Sequence, residues 1–177
     1  MNTKDKSFYQ DRRYTVFREV VKSLWQEGST ENIKRIEDEL ISRGLFEEKE
    51  RSIIRDYIRV ASGLGLENRE EPIEEAVGHA MYKERIEYPI VSAVKDVCDL
   101  CKHVNDDKPC KTSCSHGAFE HTPEKGVVIE NGKCLSCGGC VSACPFEAIS
   151  DKVEFVPMID MLKQQEVPVF AAIAPAY

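Results

Sequence analysis

The eight cysteines are the residues of this sequence whose type and spacing point most directly to a chemistry. Cys134, Cys137, Cys140 and Cys144 are separated by two, two and three residues, and Pro145 follows the last of them. Three thiolates at such short intervals can converge on one metal cluster, and a run of this spacing ending in Cys-Pro is typical of 4Fe–4S sites. The motif therefore predicts iron–sulfur chemistry.

A second set of cysteines precedes this motif and shares its outline. The set consists of Cys98, Cys101, Cys110 and Cys114. Its outer gaps are again two and three residues, whereas the middle gap is lengthened to eight. The residues that follow Cys114 and Cys144 also line up, and a short apolar segment comes after each, at 126–129 and 153–156. We interpret this as an internal duplication that forms a small two-fold, ferredoxin-like fold.

The duplication predicts which cysteines share a cluster. In two-cluster ferredoxins the fourth cysteine of the motif ligates the other cluster. We therefore assign one 4Fe–4S cluster to Cys98, Cys101, Cys110 and Cys144. The second 4Fe–4S cluster is assigned to Cys134, Cys137, Cys140 and Cys114. Because of the lengthened gap, Cys110 is the assignment that departs furthest from the simple pattern.

Other uses of these cysteines are open at this point. Disulfides are disfavoured because the N-terminus has no apolar signal segment, which points to a reducing compartment. Two structural zinc sites fit paired Cys-x-x-Cys spacing, although zinc sites rarely use three cysteines at two-residue gaps before a Cys-Pro. His103 and His116 lie close to the cysteines, but both sets are already complete, so neither histidine is predicted to be a ligand.

The composition of the whole chain limits its partners. The 177 residues are 42% apolar and 31% charged, with a net charge of −7, which disfavours a nucleic-acid-binding surface. The longest apolar stretch, at 167–176, is about half the roughly 20 residues that a membrane span needs. We expect a soluble cytoplasmic protein with no nucleic-acid or membrane partner.

Arginine and cysteine are segregated along the chain, which predicts separate domains. Every arginine lies in residues 1–87, and every cysteine lies after them. We predict a helical domain at 1–87, a two-cluster domain at 88–156, and the start of a truncated domain at 157–177.

Residues 12–87 are predicted to form four amphipathic helices. Apolar residues recur at helical spacing, Gly28 and Gly44 end the first two helices, and Pro72 begins the fourth. Short connections favour an antiparallel bundle. The many Arg and Glu residues are predicted to form i,i+4 pairs on a solvated face.

The end of the chain is predicted to be a short helix at 156–165 followed by a strand at 167–174. The strand is apolar throughout, as is typical of strands buried on both faces of an α/β sheet. The sequence stops directly afterwards, and we expect it to be the front part of a longer protein. The fold class predicted is α+β, with an all-α domain, a ferredoxin-like domain and the first strand of a truncated α/β domain.

From about residue 50 onward the sequence resembles the N-terminal accessory region of monomeric FeFe-hydrogenases. The resemblance rests on the 134–145 motif and on the ending at 172–176, which is similar to the segment that opens that family's catalytic domain. It implies electron relay between a soluble carrier such as ferredoxin and a downstream catalytic domain that oxidises H₂ or reduces protons. That family's catalytic cysteines lie further downstream, so no catalytic residue is predicted here and this chain alone cannot be a hydrogenase.

The function predicted from the sequence is therefore an iron–sulfur electron-transfer module. Two alternatives stay open: the relay part of an H₂-sensing or regulatory protein, and a structural zinc-binding module without a redox role. Metal identity separates the zinc module from the other two.

Overall fold

The computed structural model describes residues 6–27, 30–82, 88–101, 107–122, 126–153 and 155–164, together with 166, 168–170 and 172. These residues form helices and two small antiparallel sheets, which confirms the α+β class. Within them, no helix combines the length and the apolar character needed to cross a bilayer.

Four helices occupy the arginine-rich half, as predicted. They are α1 (Lys6–Glu27), α2 (Arg35–Ser42), α3 (Arg51–Ala61), which a 3₁₀ turn at Glu48–Glu50 precedes, and α4 (Ile73–Met81). Gly44 ends α2 with a left-handed φ of 70°. Helix α1 begins six residues before the predicted start, because Tyr9 packs edge-on against Phe146 of the other half at 5.4 Å between ring centroids.

The cysteine-rich half contains two sheets and four helices. Its elements are β1 (Val91–Ala93), α5 (Lys95–Cys98), α6 (Pro109–Thr112), β2 (Phe119–Thr122), β3 (Gly126–Ile129), α7 (Gly139–Ala143), β4 (Ile149–Asp151) and α8 (Phe155–Lys163). The outer strands pair with each other, with Ser92 opposite Ser150, and the inner strands pair with Phe119 opposite Ile129. The order strand, short helix, strand thus occurs twice.

One detail of the predicted duplication is wrong. The segment 153–156 is predicted to match β3, but Val153 donates its N–H to the Val60 carbonyl at 3.2 Å, and α8 begins at Phe155. Val156 and Ile159 are buried in the core against the N-terminal helices, so this segment is helical rather than extended. The strand that matches β3 is β1, ahead of the first cysteine motif. The short helix predicted at 156–165 is confirmed as α8.

A single apolar core joins the two halves. The rings of Phe17 in α1 and Phe155 in α8 meet at 4.8 Å between centroids. Lys163 donates from Nζ to the Leu24 carbonyl at the end of α1, at 2.9 Å. The helical half is therefore packed onto the cysteine-rich half, while a domain boundary at residue 87 stays a prediction.

The ion pairs of the helices differ from the expected i,i+4 pattern. Arg51 and Arg55 both contact the buried carboxylate of Glu37, at 3.4 and 2.8 Å. Arg12 binds Glu50 through two hydrogen bonds of 3.0 and 2.6 Å. These pairs connect different helices, because several of the carboxylates lie between helices rather than on an outer face.

The strand predicted at 167–174 is wrong for the residues that can be judged. Residues 168–170 and 172 form no strand, and the Phe170 side chain is 87% exposed. An isolated extended segment has no neighbouring strand among the described residues to pair with. Val167, Ala171 and residues 173–177 lie outside the described part of the chain, so the truncated domain at 157–177 stays a prediction.

Candidate metal centre

Short helices place the cysteines at the junction of the two sheets. Cys98 is the last residue of α5, while Cys110 and Cys140 are the second residues of α6 and α7. Pro109 begins α6, where its missing N–H costs no helical hydrogen bond. The same placement in α6 and α7 shows that the duplication extends to the positions of the cysteines.

The first hollow at this junction measures about 310 Å³, counting the part open to solvent. Its cysteines are Cys98, Cys101, Cys110 and Cys144. Apolar side chains, among them Val127, Phe146 and Ile149, form most of the remaining wall. One charged side chain, Lys108, also lines it.

The second hollow is of similar size, about 330 Å³ on the same measure. Its cysteines are Cys114, Cys134, Cys137 and Cys140. Val91, Phe119 and Leu135 supply apolar surface, and His116 lies at the edge. Leu135 and Cys137 are exposed, so this hollow is nearer to the surface than the first.

The structure therefore brings the eight cysteines together in the two crossed sets that the sequence predicts. In the described residues, no three Cys, His, Asp or Glu side chains are grouped as a site for a single ion. The identity of the ligands themselves stays a prediction. His116 is an exposed edge residue of the second hollow, and His103 lies outside the described part of the chain.

Burial and mutual proximity set the electrostatics of the thiols. Burial raises the pKa of Cys98 to about 12, and neighbouring Cys144 and Cys110 raise it further, whereas the charge of Lys108 acts in the opposite direction. Burial also raises the pKa of Cys140 to about 11, with Cys134 and Cys137 adding to the effect. Each buried thiol is thus influenced by cysteines of its own hollow, and a bound metal would have to supply the positive charge that thiolates require.

Backbone N–H groups already point at several of the sulfur atoms. Ala118 donates to Cys114 Sγ at 3.5 Å, and Ser136 donates to Cys134 Sγ at 3.4 Å. Such donors favour the thiolate and influence the reduction potential of a bound cluster. An apolar wall, four thiols and amide donors together fit a 4Fe–4S cluster in each hollow.

Glycines allow the chain to turn closely around the second hollow. Gly138 has a left-handed φ of 77°, where a side chain would be strained. A Cβ atom on Gly139 would lie 3.8 Å from Cys137 Sγ, at ordinary contact distance. Gly138 therefore supplies the backbone conformation, and Gly139 leaves room for the sulfur.

Sequence reasoning missed a charged residue beside the first hollow. Glu147 follows the last cysteine by three positions, has a left-handed φ of 53°, and is almost completely buried. Its carboxylate lies 3.4 Å from both the Lys6 ammonium and the Arg13 guanidinium of α1. The alignment of the two halves contained a signal, because Gly117 occupies the matching position and has a φ of 60°.

Comparisons with known proteins agree with this chemistry. Residues 103–154 match the family described as the LdpA Fe-S cluster-binding domain. The arsenate respiratory reductase iron-sulfur subunit ArrB of Shewanella sp. (strain ANA-3) is 40% identical over 52 residues, covering 29% of this chain and 21% of that protein. One of the tetrathionate reductase subunits of Salmonella typhimurium is 39% identical over 49 residues, 28% of this chain and 19% of that protein.

A third relative is described as an electron-transfer subunit. Thiosulfate reductase electron transfer subunit PhsB of Salmonella typhi is 33% identical over 64 residues, 31% of this chain and 32% of that protein. The matched part of this chain thus spans between about a fifth and a third of the length of these relatives. No solved structure matches. The cysteine-rich half is an iron–sulfur cluster-binding domain of the electron-transfer type, and the comparisons do not connect it with FeFe-hydrogenases.

Proposed function

We propose that this chain relays single electrons through two 4Fe–4S clusters to a catalytic redox partner. The observation that carries the proposal is the pair of hollows, each lined by four cysteines drawn from both motifs. The predicted crossed sets would hold the clusters, one in each hollow. A 4Fe–4S cluster accepts and releases one electron, and the protein sets its potential through charge, hydrogen bonds to sulfur and exposure.

The second hollow is the place of electron exchange with a soluble carrier such as a ferredoxin. Leu135, between two of its cysteines, is 67% exposed, and Cys137 is exposed as well. Cys98 and Cys144 of the first hollow are buried. A carrier can therefore bring its own redox centre nearer to the second cluster than to the first.

The proposed partner is the catalytic subunit or domain of a redox enzyme. The three relatives named above are subunits of reductases, which supports a partner of this general class. A hydrogenase is the particular version suggested by residues 172–176 alone. The proposal includes a reducing, cytoplasmic location, because free thiols are required for cluster insertion.

Iron, acid-labile sulfide and zinc analysis of the anaerobically reconstituted chain tests the proposal, combined with EPR spectroscopy after reduction. We expect about eight iron and eight sulfide per chain, as two 4Fe–4S clusters require, with signals from two reduced clusters. Four iron would remove one cluster from the proposal. Two zinc and no reducible signal would overturn it in favour of a structural zinc module.

A further inference from the structure

Lys108 is a buried lysine on the wall of the first hollow. Only 7% of the residue is exposed, and it lies two positions before Cys110, directly ahead of α6. An ammonium group removed from water is costly unless a negative charge compensates it.

The described part of the chain offers no carboxylate partner for this ammonium group. Two other lysines of the cysteine-rich half, Lys95 and Lys133, form ion pairs with Asp99 and Glu130 at 2.6 and 2.8 Å. No such pair involves Lys108 among the described residues. The groups that surround it are the four thiols and the apolar side chains of the hollow.

The second hollow has no equivalent cation among the described residues. Gly138 stands two positions before Cys140 and therefore matches Lys108 in the other half of the duplication. It has no side chain, and His116 is the one titratable group other than cysteine that the described residues place on the wall of the second hollow. The two hollows thus share their cysteine arrangement but differ by one buried lysine.

We propose that Lys108 is the counter-charge of the first cluster and raises its reduction potential relative to the second. This inference rests on the proposed function, since it requires a cluster in the first hollow. A cluster with four thiolate ligands is anionic, and reduction adds one electron and no proton, so a nearby fixed positive charge stabilises the reduced state. Electrons that arrive at the exposed second cluster are thereby drawn toward the buried first one.

The test is an EPR-monitored redox titration of the reconstituted full-length chain carrying Lys108→Met. Methionine keeps the length and apolar stem of lysine and removes the charge. We expect the equilibrium constant for reduction of the first cluster to fall about tenfold, which corresponds to about 59 mV for one electron. The potential of the second cluster should not change. Cys98→Ala and Cys134→Ala variants assign each signal to its hollow.

Lys111→Met is the matched control, because Lys111 lies on the same short helix but is exposed to solvent. Screening by water should leave both potentials unchanged in this variant. Lys108→Arg keeps the charge and should restore the wild-type potential.

Every outcome decides the question. Lys108→Met with full iron content and unchanged potentials overturns the inference but leaves the relay proposal intact. Loss of four iron in Lys108→Met but not in Lys108→Arg supports it, because charge is then needed to hold the anionic cluster. Loss of iron in both variants overturns it, since packing rather than charge would be responsible. Wild-type chain that binds no iron overturns the relay proposal itself.

Discussion

Glu147 and Gly117 occupy the same position in the two halves of the duplication and share a left-handed backbone, with φ of 53° and 60°. Glycine adopts this conformation freely, whereas a residue with a Cβ atom is strained by roughly 1–2 kcal/mol. Ion pairs from Lys6 and Arg13 to the buried Glu147 carboxylate offset that strain. The glutamate therefore exchanges an unstrained turn for an attachment to helix α1.

Replacing Glu147 by alanine or by glycine separates backbone strain from the ion pairs. Both variants lose the carboxylate, but only glycine relieves the φ strain. We expect Glu147→Gly to be more stable than Glu147→Ala by about 1 kcal/mol, seen as a thermal midpoint about 2–4 °C higher by circular dichroism. At Glu75, a helical position in α4, alanine should be the more stable of the two. Equal midpoints at position 147 would contradict the strain argument.

The same backbone requirement predicts the effect of a methyl group at Gly117. Nothing lies within 4 Å of a Cβ atom built there, so the cost of Gly117→Ala is conformational rather than steric. We expect a loss of about 1 kcal/mol in the free energy of unfolding. Gly132 also has open space around its Cβ position, but its φ is not left-handed. Gly132→Ala is the control, and a loss as large as that of Gly117→Ala would argue against this cause.

Arg13 connects helix α1 to the residues that follow the last cysteine. It donates to Ser150 Oγ at 2.7 Å and to Asp151 Oδ1 at 3.2 Å, in addition to its pair with Glu147. Arg13→Met leaves the buried Glu147 carboxylate with Lys6 alone. We expect a loss of about 2 kcal/mol in the free energy of unfolding, measured by denaturant titration, because a buried charge loses a partner.

Arg18→Met is the control for this prediction. Arg18 lies on the same helix, its side chain is 68% exposed, and it approaches Glu19 at 3.7 Å. An exposed pair of this kind contributes about 0–1 kcal/mol. If the two variants lose the same stability, the attachment of α1 to β4 is not the reason.

The crossed cysteine sets can be tested by comparing single cysteine-to-alanine variants. If ligation is crossed, Cys144→Ala should abolish the same EPR signal as Cys98→Ala, and Cys114→Ala should abolish the same signal as Cys134→Ala. Ligation within each motif would instead group Cys144 with Cys134. Iron analysis of each variant should show about four iron retained, one 4Fe–4S cluster. Retention of both signals in any of these variants would show that the substituted cysteine is not a ligand.

Local sequence pattern was sufficient for the four helices and for the way the cysteines are grouped. The helices have apolar periodicity and clear end signals, such as Gly44 and Pro72, and the cysteine spacing repeats within the chain. These features involve residues that are close in sequence, so no knowledge of distant contacts is needed to find them.

Contacts between distant residues account for what was missed. Strand β1 is three residues long, and its partner β4 lies almost sixty residues further along the chain. The early start of α1 depends on the contact between Tyr9 and Phe146. The buried positions of Glu37 and Glu147 likewise depend on arginines from other segments. Residue type alone indicates exposure for all of these charged side chains, and only the packed chain reverses it.

The shared core makes the arginine-rich helices a reporter of damage at the sulfur ligands. Lys6 of α1 donates to the Ser142 carbonyl in α7, the helix that also carries Cys140. Oxidation that removes a cluster would loosen α7 and, through such contacts, release α1 to proteases that cleave after Arg and Lys. Limited trypsin digestion should therefore cut the iron-free chain within α1 faster than the loaded chain. A cell could in this way convert a chemical lesion at a sulfur atom into turnover of the entire polypeptide.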